Sequence, residues 1–305
     1  MNKSVAVIDL GTNSLITIIA IISKINIKIC EENYQIIKLG EGIAEFNLIS
    51  DNAIIRCIQG FQIISKLLKR NNITNVYCVA TSALRDALNG QEIIDIIKNK
   101  FDIKIQVISG FQEANFVRKA TINEFDLKSK ISLIFDIGGG STELIFLNNE
   151  KIIHIESINI GSVRCTELFL QKTLFNDDLV IKLESFIDSK LEKVPFYDIN
   201  TAIGIAGTIT TLSSVKLGLE RYCTEIIHKS ILTIDDVKKL KNQFIKSQIN
   251  GLKKIKGLDS KRAEIILAGS IICEKIMEKY KIKKMLVSDK GLRWGVLQSL
   301  REFNS

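Results

Sequence analysis

The sequence has little of several residue types and patterns that mark specialised classes of protein. Its 305 residues include one proline, Pro195, one tryptophan, Trp294, and two histidines, His154 and His228. Long hydrophobic runs are also absent, because the mostly apolar segment 15–22 falls far below the ~20 residues that a membrane helix needs. The polar stretch 9–14 interrupts the apolar N-terminal region and argues against a signal peptide. We therefore expect no membrane anchor and no secretory leader.

The cysteines do not form a metal or disulfide pattern. They lie far apart, with no CxxC pair and no histidine at zinc-finger spacing, at Cys30, Cys57, Cys78, Cys165, Cys223 and Cys273. Most fall within apolar runs, which favours buried, reduced thiols over a disulfide framework. The sequence therefore predicts a cytoplasmic protein without a zinc site.

The bulk composition is that of a globular protein with a positive excess. With 46% hydrophobic and 25% charged residues, disorder and coiled coil are excluded as global descriptions. The 42 lysines and arginines exceed the 34 aspartates and glutamates, which gives a net charge of +8. That excess favours anionic partners such as nucleic acid, a membrane surface or a phosphorylated substrate. Composition leaves these open, together with simple bias toward isoleucine, lysine and asparagine.

The length and the order of elements predict two α/β domains. At about 150 residues per domain, the chain is long enough for two. A β-branched strand over 4–10 is followed by further strands, including Ile25–Cys30. A helix over Ala53–Lys69, capped by Ser50 and Asp51, and a second helix over Arg85–Lys100 then alternate with buried strands. This order indicates an α/β domain with a mixed sheet.

The pattern restarts in the second half of the chain. Ile8–Ser14 and Phe135–Ser141 look like two versions of one unit, in which a hydrophobic strand ends in aspartate and a polar glycine turn follows. We therefore predict duplicated domains over 1–124 and 125–305, with the boundary in the polar stretch 123–130. The placement of the last helix, from Leu292, is left open between the second domain and the hinge.

Both glycine turns are candidate phosphate loops. Glycine lets backbone amides approach an anion, the hydroxyls add donors, and the aspartate can orient water or a cation. The candidate residues are Asp9, Gly11, Thr12, Asn13 and Ser14 in the first loop and Gly138, Gly139, Gly140 and Ser141 in the second. One such loop is also an ordinary turn. Two at equivalent positions favour a phosphate chain held from both sides of a cleft.

Two further features follow the second loop. Glu143 is close enough to Asp136 for the two carboxylates to hold Mg²⁺, although an exposed hairpin glutamate is the alternative. Gly207 and Thr208 follow a buried strand and open a helix, whose unpaired amides form a third anion site. An ordinary helix cap is the alternative there.

Taken together, these motifs resemble the exopolyphosphatase / guanosine-pentaphosphate phosphatase (Ppx/GppA) family. The matching segments are 7–14, 80–87, 108–114, 136–144, 160–164, 207–212, His228, 262–269 and 288–293. The Ile-Ser-Gly-x-x-Glu-Ala element at 108–114 is the most discriminating of them. The family lies within the superfamily of actin, sugar kinases and chaperone ATPases. The resemblance therefore implies two actin-like, ribonuclease H-like domains with a cleft between them.

The resemblance also implies roles for particular residues. The glutamate that matches Glu113 is the family's catalytic base, Asp136 and Glu143 match its Mg²⁺ carboxylates, and Arg85 matches an arginine that contacts phosphate. From the residues alone, Glu113 could instead complement a helix dipole, and Arg85 could form a surface ion pair. Gln112 and Trp294 depart from the family pattern, in which acidic residues stand at both positions.

The implied function is a Mg²⁺-dependent phosphoanhydride hydrolase. Its substrate is inorganic polyphosphate or the 5′-γ-phosphate of guanosine pentaphosphate, attacked by water that Glu113 activates. The alternative is a sensor of the same fold that binds the alarmone with weak turnover; a kinase is disfavoured by the Glu113 motif. We expect no DNA or membrane partner and no C-terminal helical extension after Ser305, and a homodimer is compatible with the sequence.

Overall fold

The chain divides into two compact units. In the computed structural model, residues 3–128, 131–170 and 175–303 are described. One unit comprises Met1–Ala120 and Leu292–Ser305, and the other comprises Thr121–Gly291. The first boundary thus falls after residue 120 and not after residue 124. Residues 129 and 130 of the polar stretch 123–130 lie outside the described residues. The cleft between the domains stays a prediction.

The first unit contains a five-stranded mixed sheet. Its strands are β1 (Lys3–Leu10), β2 (Ser14–Ile22), β3 (Ile27–Ile36), β4 (Asn75–Ala80) and β5 (Ile105–Val107). They lie in the order β3-β2-β1-β4-β5. The first three strands pair antiparallel, whereas β4 pairs parallel to β1 and β5 parallel to β4. The strand predicted over Ile25–Cys30 extends further, to Ile36.

The second unit repeats this topology with one more strand. Its strands are β6 (Ile131–Ile137), β7 (Thr142–Asn148), β8 (Lys151–Ile158), β9 (Thr201–Ile205), β10 (Ile231–Thr233) and β11 (Lys284–Val287). Their order is β10-β11-β9-β6-β7-β8, so that β6, β7, β8, β9 and β11 correspond to β1 through β5. The edge strand β10 was not predicted, since three residues carry too little pattern. The two sheets confirm the predicted duplicated α/β fold.

Helices cover the sheets. In chain order they are α1 (Ile43–Phe46), α2 (Asp51–Arg70), α3 (Ser82–Asp86), α4 (Gly90–Phe101), α5 (Gly110–Ile122), α6 (Ser162–Phe169), α7 (Asp177–Leu191), α8 (Ala206–Lys216), α9 (Thr224–Ile227), α10 (Ile234–Leu252), α11 (Ile266–Lys279) and α12 (Leu292–Phe303). The hydroxyl of Ser50 caps α2 by accepting the Ala53 N–H at 3.3 Å, as predicted. Within the described residues, no helix is long and apolar enough to cross a membrane.

The helix predicted over Arg85–Lys100 is wrong in its first part. The chain forms the short helix α3, turns, and restarts as α4 at Gly90. Gly90 makes the turn tight, because a Cβ there would lie 2.5 Å from the carbonyl oxygen of Leu84. The turn leaves Arg85 near the end of β4, where it belongs to the site described below.

The core of the first unit lies between the sheet and the helices. Residues 5–8 of β1 are all fully buried, as expected for a central strand that is covered on both faces. Helix α2 buries one apolar face that includes Cys57 and Phe61. All six cysteines lie in the described residues and are free thiols. The prediction of buried cysteines is wrong for Cys30, which is exposed on β3.

The last helix belongs to the first unit and not to the second domain over 125–305. It packs against β1, β2 and β3. The contact depends on Gly295, because a Cβ at that position would lie 1.8 Å from the carbonyl oxygen of Phe116 in α5. Glycine thus lets the backbones of α5 and α12 touch. Beyond it, Lys119 of α5 and Glu302 of α12 form an ion pair at 2.6 Å.

This backbone contact predicts the effect of a small substitution. Gly295→Ala is expected to lower the free energy of unfolding by about 3 kcal/mol, because the added methyl overlaps the backbone of α5 and the helices must separate. Glu302→Ala, which removes only the surface ion pair between the same helices, is expected to cost about 0.5 kcal/mol. Urea unfolding of the two variants measures both values. Equal costs would show that the close approach at Gly295 carries little of the packing energy.

Candidate functional site

Both strand-end turns have the same hydrogen bond. The N–H of Gly11 donates to the carbonyl of Ser14 at 2.9 Å, and the N–H of Gly138 donates to the carbonyl of Ser141 at 3.0 Å. A Cβ on either glycine would lie 3.2 Å or 3.1 Å from that same carbonyl oxygen. The repeat predicted from sequence is therefore also a repeat of local geometry.

The first loop is fixed through its carbonyl groups. The carbonyl of Asn13 accepts the amides of residues 37 and 38 at 3.0 Å, and that of Thr12 accepts the amide of Gly40 at 2.8 Å. The Thr12 hydroxyl bonds to the Ser82 hydroxyl at 2.9 Å. The side-chain Nδ2 of Asn13 is buried and has no hydrogen-bond partner within the described ranges. The loop backbone is thus fixed by hydrogen bonds, and the Asn13 amide is a donor that a ligand could use.

The second loop is fixed in the same way by helix α6. The carbonyls of Gly138–Gly140 accept hydrogen bonds of 2.9–3.1 Å from the backbone amides of Ser162–Arg164 and from Nε of Arg164. In a trans peptide the N–H points opposite to the C=O, so the amides of residues 139–141 are directed away from α6. A Cβ on Gly161 would lie 2.4 Å from the Gly139 backbone, so only glycine allows this approach. Such outward amides form a concavity for an anion.

Two buried carboxylates lie side by side in the second unit. Asp136 of β6 and Glu143 of β7 are direct partners in the antiparallel register, so their side chains share one face. Asp136 is 7% exposed and Glu143 is 0% exposed. The Ser157 hydroxyl on β8 donates to Oε1 of Glu143 at 2.8 Å and orients it. The structure brings together the two residues that the sequence assigned to a metal.

This carboxylate pair has the chemistry of a divalent-cation site. Like charges directly opposite each other destabilise a sheet, and a bound cation removes that penalty. Mg²⁺ is bound by one or two carboxylates with water and phosphate oxygens completing its shell. A larger cluster is not needed, and among the described residues no group of three or more His, Cys, Asp or Glu side chains could hold a metal. The two carboxylates therefore fit Mg²⁺.

At the corresponding position, the first unit has one carboxylate and no second one opposite it. Asp9 is the residue of β1 that corresponds to Asp136, but its cross-strand partner on β2 is Ile16, where the second unit has Glu143. The two loops have the same backbone geometry but differ in charge. One carboxylate lies beside the first loop, and two lie beside the second loop.

The predicted base and the predicted phosphate arginine lie together in the first unit. Glu113, in the first turn of α5, is 8% exposed. Nη1 of Arg85 lies 3.6 Å from Oε2 of Glu113 and donates to the carbonyl of Ile108 at 2.9 Å. Arg85 also lies 3.8 Å from Asp86. The carboxyl ends of β1, β4 and β5 thus bring Asp9, Arg85 and Glu113 to one edge of the sheet, where ligands bind in open α/β sheets.

The third predicted anion site, at Gly207 and Thr208, opens helix α8. Its N-cap is Ile205, which makes no side-chain cap, and both the anion site and an ordinary helix start are compatible with this geometry. Ala206 adopts a left-handed φ of 71°, which lets the helix start directly after β9. Asp136 pairs with Ile205 in parallel register, so this helix start lies beside the carboxylate pair.

Three arginines beside these loops received no role from the sequence. Arg164 donates to Gly140, the guanidinium of Arg262 lies 2.2 Å from where a Cβ of Gly207 would be, and Arg293 lies 3.8 Å from Asp9. Arginine suits phosphate because its planar fork donates two parallel hydrogen bonds. All three stand in the segments that carry the family resemblance, which is the only sequence feature that could have indicated a role for them. Each contacts a loop residue that is distant in sequence, so the spacing of the residues could not predict the contact.

Both histidines contact other groups of the second unit. Nδ1 of His228 accepts the Asp289 amide at 3.3 Å, and its Nε2 faces Glu124 at 3.4 Å. Burial lowers the pKa of His228, which favours the neutral ring. His154 packs with Phe146, with ring centroids 5.7 Å apart. Trp294 is half-buried in the first turn of α12.

Burial raises the pKa of Asp9 to about 6, and the nearby Arg293 acts in the opposite direction. Because the folded state binds the proton more tightly than the unfolded chain, this group costs stability as the pH rises. The cost is absent below the ordinary pKa of 3.8 and complete above about 6. The first loop therefore retains a carboxyl whose ionisation opposes folding.

Asp9→Asn is expected to remove this pH dependence. Relative to the parent protein, the free energy of unfolding of the variant should rise by up to about 3 kcal/mol between about pH 4 and about pH 7. Urea unfolding at a series of pH values measures the difference. Asp95→Asn, on the exposed face of α4, is the matched control and should run parallel to the parent protein. A parallel course for Asp9→Asn as well would mean that Asp9 is not destabilised by burial.

The chain matches known proteins along nearly its whole length. The bifunctional 3-dehydroquinate synthase/phosphatase of Fusobacterium nucleatum is 37% identical over 305 residues, which cover 96% of this chain and 46% of that protein. The chain therefore spans less than half of that relative.

Two other relatives are less similar in sequence. The putative exopolyphosphatase of Haemophilus influenzae is 27% identical and covers 98% of this chain and 92% of its own length. The guanosine-5′-triphosphate,3′-diphosphate pyrophosphatase of Pseudoalteromonas atlantica is 26% identical, over 97% of this chain and 58% of its own length.

A solved structure shows the same fold. The crystal structure of the Aquifex aeolicus member of the Ppx/GppA family superposes with a TM-score of 0.82 at 30% sequence identity. The superposition covers 100% of this chain and 99% of that one. The family pattern itself matches residues 18–302. With two actin-like domains of this topology and a match of this length, the chain belongs to the Ppx/GppA phosphatase family.

Proposed function

We propose that the chain is a phosphoanhydride hydrolase that removes the terminal phosphate of inorganic polyphosphate or the 5′-γ-phosphate of guanosine pentaphosphate. The observation that carries the proposal is the buried Glu113 with Arg85 at 3.6 Å, at the sheet edge that also holds the first glycine loop. A buried carboxylate at this position can accept the proton of an attacking water, and the neighbouring guanidinium can bind the phosphoryl group. Two of the relatives have names that describe these two activities.

The chemistry of the proposal is an in-line displacement at phosphorus. The carboxylate of Glu113 accepts a proton from water while the water oxygen forms a bond to the terminal phosphorus. The anhydride P–O bond on the opposite side breaks, and the shortened substrate leaves with that oxygen. Arg85 offsets the charge of the terminal phosphoryl group, and the outward amides of the glycine loops hold phosphate oxygens.

Asp136 and Glu143 would hold Mg²⁺ in this proposal. When bound, the ion offsets negative charge on the phosphate oxygens. Ser157 keeps Glu143 in position through its 2.8 Å hydrogen bond, so the carboxylate need not reorganise when the cation binds. The first loop, with Ile16 opposite Asp9, contributes backbone donors and no second carboxylate.

Glu113→Gln tests the base. Its kcat for phosphate release is expected to fall about 100- to 10,000-fold, because the amide cannot accept the proton. Glu92→Gln is the matched control, since Glu92 also stands in the first turn of a helix of the same unit and shares only the helix-dipole role. Steady-state phosphate release from both substrates, measured side by side, supplies the readout and the substrate preference.

Three results would count against parts of this proposal. Full phosphate release by Glu113→Gln would show that Glu113 is not the base, and an equal loss of activity in Glu92→Gln would show that Glu113 acts only through the helix dipole. Tight binding of both substrates by the unmodified protein, without multiple turnover, would favour the alarmone sensor. The release assay detects the first two results, and the third needs a binding measurement as well.

The carboxylate pair predicts a metal dependence. In Asp136→Asn and Glu143→Gln, the Mg²⁺ concentration for half-maximal activity is expected to rise about 10- to 100-fold, because each loses a charged oxygen ligand. Glu156→Gln, on the neighbouring strand β8 and 42% exposed, is the control and should leave the Mg²⁺ titration unchanged. If the Mg²⁺ titrations of the parent protein and the three variants coincide, Asp136 and Glu143 do not bind the metal.

A further inference from the structure

Arg293 is a half-buried cation whose hydrogen bonds are incomplete. Its side chain, in the first turn of α12, is 15% exposed. Its Nη1 lies 3.8 Å from Oδ2 of Asp9, which is an ion pair but too long for a hydrogen bond. Its Nε is buried and has no hydrogen-bond partner in the part of the chain that the structure describes. Buried donors of this kind normally have an acceptor, so the missing one needs an explanation.

Other arginines of the same unit differ in this respect. Arg56 donates from Nε to the carbonyl of Ile37 at 2.7 Å and from Nη2 to Lys38 and Glu41. In the second unit, Nε of Arg164 donates to a carbonyl of the glycine loop. Arg293 therefore has a donor, its Nε, that the described part of the protein does not use.

Asp9 offsets the charge of Arg293, but at a distance that is too long for a hydrogen bond. A guanidinium stays ionised at any pH at which the protein is folded. Burial raises the pKa of Asp9 to about 6, so the carboxylate compensates Arg293 at neutral pH and loses its charge as the pH falls below that value. An anion next to Arg293 would supply the missing acceptor and add negative charge at the same place.

The position of Arg293 is set by packing. Two residues further along α12, Gly295 touches the backbone of Phe116 in α5, and that close contact holds the start of α12 against the helix that carries Glu113. The partner of Arg293, Asp9, stands two residues before Gly11, at the start of the loop Gly11–Ser14. The guanidinium is thus held beside the first glycine loop.

We propose that Arg293 is a further substrate-binding residue, whose guanidinium donates to an oxygen of the phosphate chain at the loop Gly11–Ser14. The ligand class is a phosphate oxyanion, and Asp9 orients the guanidinium from its other side. The inference rests on the proposed function for the identity of the substrate. The binding of a phosphate chain as such can be measured without turnover.

The test compares Arg293→Met and Arg293→Lys with Arg70→Met. Arg70 is a surface arginine of the same unit, 67% exposed, so its replacement removes the same charge away from the loop. Calorimetric binding of tripolyphosphate is measured for each protein, together with KM and kcat for polyphosphate. A charge-assisted hydrogen bond predicts that Arg293→Met weakens tripolyphosphate binding and raises KM by about 10- to 100-fold while kcat changes little. Arg293→Lys should recover part of the loss, and Arg70→Met should match the parent protein.

Two outcomes would overturn the inference. Affinity and KM for Arg293→Met equal to those of Arg70→Met would exclude contact with the phosphate chain. If Arg293→Met has an unchanged KM but the acid limb of its pH–activity profile is displaced, Arg293 affects only the ionisation of Asp9. If Arg293→Met does not fold, as judged by thermal unfolding, the same comparison is made with Arg293→Lys, for which a KM equal to that of Arg70→Met overturns the inference.

The two proposals fail separately. Binding of tripolyphosphate that depends on Arg293, in a protein that releases no phosphate, would overturn the hydrolase and leave the inference standing. Normal phosphate release that does not depend on Arg293 would overturn the inference alone.

Discussion

The orientation of a few peptide groups is the constraint on which both candidate loops depend. In each unit the chain leaves a central strand, turns at a glycine, and closes with an N–H to a serine carbonyl three residues later. The loop carbonyls are then used by donors of the protein, from residues 37–40 in one unit and from the start of α6 in the other. Because N–H and C=O of a trans peptide point in opposite directions, fixing the carbonyls fixes the amides as well. The amides that we propose for phosphate binding are therefore oriented by the fold itself.

Charge distinguishes the two copies of this loop. In the second unit, Asp136 and Glu143 are register partners, and both are buried. In the first unit, Asp9 faces Ile16 on the neighbouring strand and has Arg293 nearby. One copy is therefore suited to a divalent cation and the other to the oxygens of a phosphate chain. The two units thus have the same loop backbone, and the side chain opposite the aspartate determines which ligand each loop suits.

Most of the fold and of the candidate site could be predicted from the sequence, because local patterns carry them. The repeat of Asp9–Ser14 at Asp136–Ser141 predicted the duplicated sheets, and the short separation of Asp136 and Glu143 in the sequence predicted that the two carboxylates could act together. Long-range contacts could not be predicted in this way. The position of α12 depends on a glycine that touches α5, and the arginine beside each loop comes from a distant part of the chain. Short elements such as β10 and the turn before α4 were missed because few residues define them.

The proposed hydrolysis depends on attack by water at the terminal phosphorus of the substrate. Single-turnover hydrolysis in ¹⁸O-labelled water, with mass analysis of both products, tests this step. We expect one ¹⁸O atom in each orthophosphate released and none in the shortened substrate, because the new bond forms at the terminal phosphorus and the anhydride oxygen leaves with the shortened substrate. Label in the shortened substrate, or orthophosphate without label, would contradict it.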